Sequence, residues 1–415
     1  MRTPRSWFRL AMVNFLAAAI LGLVLRLIYL VEIPFVQFRP FLHAHSHVAL
    51  LGWLFIAVVV AIWDDGGGGR LDVLFRQLLF GLQLAVVMML FAFPLQGYGP
   101  ISIAASMVHM LLAFAILYRL WQKASDWPAK GSRGLVRWAI TFFCLSNLGV
   151  MAIPIIISAG LQANEIYYWS VQFFLHFQFN GWFWFAAMTL GARWAERRGV
   201  RLDIDGLTMG LWVVSATLTF ALAIAWSEPR PMVFATVALA VALQVWAALR
   251  TLRLLRRSKA YSHTGVPRSV QVFIGVAFVS MALKVLVQAL VAVPQVAVMA
   301  LTIRHFVMGF IHLNTLGTMT MLVFAYALVQ GWLDHSRVPT KIGSGLLVIG
   351  IVLSELMLFL QGSFFWSGWG MIPGHYLHLV IASGFIPIGI LFLLYATLSP
   401  QPPRDASHMV GGQLP

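Results

Sequence analysis

Cysteine is almost missing from this chain, acidic residues are scarce, and no polar stretch is long enough to fold as a domain outside a membrane. The single cysteine, Cys144, sits in an apolar segment, which excludes disulfides, thiolate metal clusters and a CxxCH haem attachment. Asp and Glu number 13 against 28 Lys and Arg, and together they are only 10% of the residues. The longest polar connections span roughly 15 to 20 residues, too short for a globular unit. A cleavable leader is also lacking: the first apolar stretch is long, follows Arg2, Arg5 and Arg9, and has no small-residue cleavage site, so it reads as retained.

Apolar segments of membrane-crossing length recur instead from end to end, in a chain that is 60% hydrophobic. Twelve are predicted, at 9–31, 43–63, 74–93, 100–121, 135–158, 168–192, 206–226, 231–250, 269–293, 304–330, 342–361 and 374–398. They describe an all-α polytopic membrane protein of twelve transmembrane helices, a single domain over 1–400. The Pro- and Gly-rich tail, 401–415, reads as disordered, and the Asp64–Arg70 connection as a flexible turn. No internal repeat stands out, which counts against inverted-repeat transporter architectures.

The basic residues set the orientation. Arg39, Arg230 and Arg304 fall on one side and Arg26 and Lys284 within spans, which leaves 23 of the 28 on the other side. By the positive-inside rule both termini are cytoplasmic, in a multi-pass protein of a bacterial-type inner membrane. The net charge of +15 then follows from topology and contact with the anionic lipid bilayer, and gives no warrant for a nucleic-acid partner.

Histidine is the conspicuous polar residue of the spans. Nine of the 12 lie in them: His43, His45 and His47 in span 2, His109 in span 4, His176 in span 6, His305 and His312 in span 10, and His375 and His378 in span 12. Even-numbered spans run from the outer face inward, so at about 1.5 Å per residue all nine lie within roughly 15 Å of that face. The other three, His263, His335 and His408, fall in cytoplasmic loops or the tail. Such a layer is costly in hydrocarbon and calls for ligands or partners. On a helix His43 and His47 share a face and His45 points nearly opposite. His305 and His312 share a face two turns deep. Imidazoles from spans 2 and 10 at matching depth suit bis-histidine haem ligation, with Arg39 and Arg304 placed to meet propionates.

These segments resemble the catalytic subunit of the haem-copper oxidase superfamily, nearest its C-family oxidases and the nitric oxide reductases. The resemblance rests on Arg39-Pro-Phe-Leu-His43-Ala-His45 leading to Gly52, on His312-Leu-Asn-Thr-Leu-Gly317, and on His176-Phe-Gln-Phe-Asn180-Gly181. It implies a low-spin haem b between helices 2 and 10. Aligning Gly52 puts His45 on the first ligand, aligning Arg39-Pro40 puts His43 there, and Leu316-Gly317 puts His312 on the second. It also implies that His176 is a ligand of a second metal, Fe or Cu, with Asn180 where nitric oxide reductases carry Glu. Departures are as informative. Phe310 stands where the family has its high-spin haem ligand, span 7 lacks a His-His pair, and the loop before span 12 carries Trp366 and Trp369 in place of arginines. The resemblance therefore keeps the low-spin haem and leaves the binuclear centre incomplete, with a cytochrome or quinol as the implied electron donor and NO or O2 chemistry weakly supported.

Other residues fit blander accounts. A second metal held by His176, His109 and His375 or His378 needs helices that only a structure can bring together. Lys284 and Glu355, deep in spans 9 and 11, suggest a mutual ion pair or a proton path. Arg26 could snorkel outward or meet a propionate. Asn147, Gln172, Gln178 and Asn314 read as interhelical hydrogen-bonding groups, and most Trp as interfacial belts. Two other function classes stay open: a metal-cation or proton transporter using the outer histidine layer, and a non-catalytic haem or copper sensor or assembly protein on the same scaffold.

Overall fold

A computed structural model of the chain describes residues 1–64, 69–258 and 266–398. Residues 65–68 of the expected Gly-rich turn, His263, His408 and the 401–415 tail lie outside the described residues. Among those described, all regular structure is helical, and eleven helices are long and apolar enough to cross a membrane. Long helices are numbered in chain order: α1 (Pro4–Leu27), α2 (Phe38–Trp63), α3 (Val73–Gln96), α4 (Pro100–Ser125), α5 (Lys130–Ser158), α6 (165–197), α7 (Gly206–Ile224), α8 (Pro231–Ser258), α9 (Arg268–Leu290), α10 (Arg304–Val329), α11 (Val338–Trp366) and α12 (His375–Leu398). Helix α6 runs unbroken but is not among the eleven; His176, Gln178 and Asn180 dilute its apolar stretch. A short helix, Pro294–Thr302, precedes α10.

The helix starts follow local chemistry. Helix α1 begins well before residue 9 because Thr3 caps it, its hydroxyl accepting from Ser6 N, and Pro4 suits the first turn. Asp72, Asn164 and Asp205 cap α3, α6 and α7 in the same way.

Helices α2 and α10 form the centre. Of their most apolar windows 72% and 56% are buried, against 28–44% for the other nine candidates. Helix α6 joins them, since every residue from Phe177 to Leu190 is buried. Each of the three carries a π-helical stretch, Val48–Phe55, Phe177–Phe183 and Leu313–Thr320. A π turn holds an extra residue and so changes the face presented above and below it, a feature common at functional sites.

The three stretches share a layout that marks a four-helix repeat. Each starts directly after a histidine, in His47-Val-Ala-Leu-Leu-Gly52, His176-Phe-Gln-Phe-Asn-Gly181 and His312-Leu-Asn-Thr-Leu-Gly317. Each glycine is a point of close approach to the preceding helix. A Cβ on Gly52 would fall 3.2 Å from Asn14 of α1 and 2.7 Å from Val86 of α3, on Gly181 2.5 Å from Phe142 of α5, and on Gly317 2.5 Å from Ser280 of α9. A five-residue spacing that recurs three times is too short to stand out as an internal repeat in the sequence.

The two ends of the central helices differ. Toward their C-termini, α2 from Gly52, α6 from Phe177 and α10 from Leu313 are buried almost all round. Their last turns are tied together: the Tyr326 hydroxyl of α10 donates to Asp64 Oδ2 at 3.0 Å, and Arg197 of α6 donates to that hydroxyl at 2.6 Å and also to the Asp64 carbonyl. Toward their N-termini, where the histidines are, nearly every side chain is partly open: only Ala44 and Val48 of Phe38–Leu51, Ser170 of 165–176 and Gly309 of Arg304–His312 are buried. The histidine-bearing ends of the three central helices are therefore the less tightly enclosed ones.

Candidate haem site

His45 faces α1. Its Nδ1 lies 2.8 Å from the Ala18 carbonyl, and its ring lies so close to Gly22 that a Cβ there would approach Cε1 to 2.8 Å. Ala18 and Gly22, one turn apart, thus form a slot that a larger side chain would fill. The bond to a carbonyl makes Nδ1 the protonated nitrogen and leaves Nε2 with its lone pair. On α10, His312 turns its Nδ1 toward Glu355 of α11, 3.5 Å from Oε1. Neither carboxylate oxygen of Glu355 has a hydrogen-bond partner among the described residues, and nor does His312 Nδ1. Buried polar atoms left so are costly unless something orders them.

Arg26 joins the group from α1, within electrostatic reach of His45, His312, Glu355 and His375. His45 and His312 are themselves within electrostatic reach of one another. The two histidines singled out from sequence stand on helices that touch, with Trp53 of α2 donating to Thr320 of α10 at 3.0 Å, and Arg26 shares their electrostatic surroundings.

The remaining candidates fall elsewhere. His43 and His47 share the face opposite His45, as the helical period requires. The His43 ring packs 4.5 Å from Tyr98, the His47 ring 4.3 Å from Phe93 of α3, and His47 Nδ1 bonds the His43 carbonyl at 2.9 Å. The alternative register that favours His43 as the partner of His312 does not fit this placement. His109 is buried against α2, its ring 5.6 Å from Phe55. His176 has both nitrogens occupied: Nε2 by the Ala216 carbonyl at 2.8 Å and Nδ1 by the Asn180 amide at 3.3 Å. His305 and His375 pair edge to face at 5.3 Å, with His375 buried, both its nitrogens without a hydrogen-bond partner among the described residues, and His378 exposed beside Gly374.

Two expectations need correction. The combination of His109, His176 and a span 12 histidine does not assemble, and no group of three or more His, Cys, Asp or Glu able to hold a metal occurs among the described residues. These residues contact α2, α7 and α10 respectively, so no common centre exists. Nor do Lys284 and Glu355 pair. The Lys284 ammonium lies 3.9 Å above the Trp184 ring of α6 while Glu355 faces His312, because α9 and α11 present these side chains to different neighbours. Arg39 and Arg304 stay at the exposed rim, Arg304 over the Phe38 ring at 4.8 Å.

Neither a protein-family model nor a curated protein matches the chain. The site therefore has to be judged on its own chemistry. Metal-bound histidines characteristically donate their second nitrogen to a carbonyl or carboxylate. The Ala18 carbonyl and Glu355 are positioned for those roles, and Nε2 of both His45 and His312 makes no hydrogen bond among the described residues. The donor set fits a six-coordinate haem iron. Sequence reading missed Ala18, Gly22 and Glu355 as supports, for a carbonyl and a glycine slot carry no side-chain signal.

Proposed function

We propose that this chain is a haem-binding integral membrane protein of twelve spans with both termini cytoplasmic, a divergent relative of the haem-copper oxidase catalytic subunit that transfers electrons. The carrying observation is a pair of histidines on two helices that touch, α2 and α10: His45 Nδ1 bonds the Ala18 carbonyl, His312 Nδ1 lies 3.5 Å from Glu355, and neither Nε2 makes a hydrogen bond among the described residues. Residue roles follow. His45 and His312 would hold haem b, Ala18 and Gly22 fix the plane of the His45 ring, and Glu355 with Arg26 orients His312 and sets the local charge. Bound there, haem supplies reversible one-electron transfer. Phe310 and the doubly bonded His176 argue for electron transfer over oxygen or nitric oxide turnover, with a cytochrome or quinol as donor. The inner-membrane placement rests on the charge asymmetry of the loops.

The test is expression with ample haem, followed by pyridine-haemochrome analysis and redox-difference spectra of the purified protein. A six-coordinate low-spin spectrum, lost in both His45→Ala and His312→Ala and retained in His43→Ala, is expected. Lack of a Soret band in the wild type, or its persistence in the double variant, overturns the reading. Metal-dependent uptake by haem-free protein in liposomes would favour the transporter alternative.

A further inference from the structure

A cavity of about 370 Å³ opens among α6, α7, α9, α10, α11 and the short helix Pro294–Thr302, within the size range of small-molecule sites. Its body is apolar, with Phe179, Leu222, Val291, Phe306, Phe310 and Phe359 among the lining residues, and no Asp, Glu, Lys or Arg contributes to the wall. Its polar part is built from neutral groups: Gln172, His176, Asn180 and Gln288, together with the hydroxyls of Thr219 and Ser363, which bond backbone carbonyls of their own helices or neighbouring turn.

Those groups are held in one direction. Gln244 Nε2 donates to Gln288 Oε1 at 2.7 Å, Gln288 Nε2 to Asn180 Oδ1 at 2.9 Å, Asn180 Nδ2 to His176 Nδ1 at 3.3 Å, and His176 Nε2 to the Ala216 carbonyl at 2.8 Å. A primary amide has two N–H bonds, and this chain uses one on Gln288 and one on Asn180. The Gln172 amide makes no hydrogen bond among the described residues. The wall thus offers amide donors to spare, no charge, and a broad aromatic and aliphatic surface.

We propose that this cavity binds a lipid-soluble quinone or its quinol. A charged or zwitterionic lipid headgroup would meet no counter-charge there and would lose its hydration. A plain hydrocarbon would leave the Gln172 amide and the second N–H of Asn180 and of Gln288 without partners. A neutral planar head with carbonyl acceptors uses the amide N–H groups, and its isoprenoid tail follows the apolar wall toward the bilayer. Phe310 and Ile311 line this cavity and immediately precede His312, so the occupant sits on the flank of the proposed haem ligand. Binding itself is independent of haem; only the step of naming this occupant the electron donor rests on the haem reading.

The probe is decyl-ubiquinone added to the full-length protein, purified free of endogenous quinone, and followed by quenching of tryptophan emission, since Trp366 lines the cavity. Saturable binding is expected. Weakening of about tenfold or more is expected in Asn180→Leu and in Gln288→Leu, each of which removes a donor, and loss of binding in Ala300→Trp, which fills the space from the short helix. Equal affinity in a correctly melting Ala300→Trp protein overturns the proposal. So does equal competition by decane or phospholipid in the wild type, a measurement that depends on no variant. The His45→Ala, His312→Ala double variant is expected to bind the probe as the wild type does, so failure of the haem reading and failure of this one give different results.

Discussion

Single side chains decide the chemistry at the N-terminal ends of the central helices. The Gly22 slot leaves the His45 ring no freedom, so Gly22→Val should push the imidazole off the Ala18 carbonyl and abolish the low-spin haem spectrum while the chain still folds. Haem content per protein, measured alongside size-exclusion behaviour, checks this. Full haem occupancy in that variant would mean that His45 is not a ligand. Lys284 is a different case. It is 1% exposed, with its Nζ over the Trp184 ring and no carboxylate partner among the described residues, so desolvation opposes its charged form. Lys284→Met is expected to leave the thermal midpoint unchanged or raised. A midpoint lower by several degrees would assign the cation–π contact a net stabilising role.

Helices are joined in this fold through glycines at the π turns. Gly317→Ala places a methyl 2.5 Å from Ser280 Oγ and 3.1 Å from Ser280 Cβ, so the hydroxyl must rotate away and α9 and α10 must give slightly to admit it. A loss of about 1–3 kcal/mol is expected from such overpacking. Gly275→Ala on α9, where a Cβ meets nothing within 4 Å, should instead stabilise by about 0.5–1 kcal/mol through helix propensity. Comparing melting curves of the two variants isolates packing from propensity. If both behave alike, the close approach at the π turn is not a constraint.

The whole molecule is pinned at one end and open at the other. Asp64, Arg197 and Tyr326 close the C-terminal ends of α2, α6 and α10, while toward the N-terminal ends a cavity opens beside His176. Tyr326→Phe removes the hydroxyl that bridges Asp64 and Arg197 and should cost about 1–3 kcal/mol. The exposed Tyr395→Phe should cost nothing measurable. Thermal unfolding in detergent distinguishes them, and equal midpoints would remove the clamp from this account. Because the clamp is remote from the histidines, haem content should be unchanged in Tyr326→Phe.

How much of this was legible beforehand differs by residue. Helix positions, the opposed faces of His43 and His45, and the matching depth of His45 and His312 follow from hydropathy and a 3.6-residue period, both local properties. The Lys284 and Glu355 pairing was misjudged because sequence places two charges at similar depth without saying which neighbour each faces. Ala18, Gly22 and the Gln244–Gln288–Asn180–His176 chain were invisible as supports, since a carbonyl or an amide acquires its role only from what packs against it. The amino-acid order by itself determined the helices and where their histidines stand, because each helix closes its backbone hydrogen bonds within itself. Which imidazoles meet, which are tied off and where space remains was decided by tertiary packing, since contact between helices depends on shape complementarity that no single segment contains.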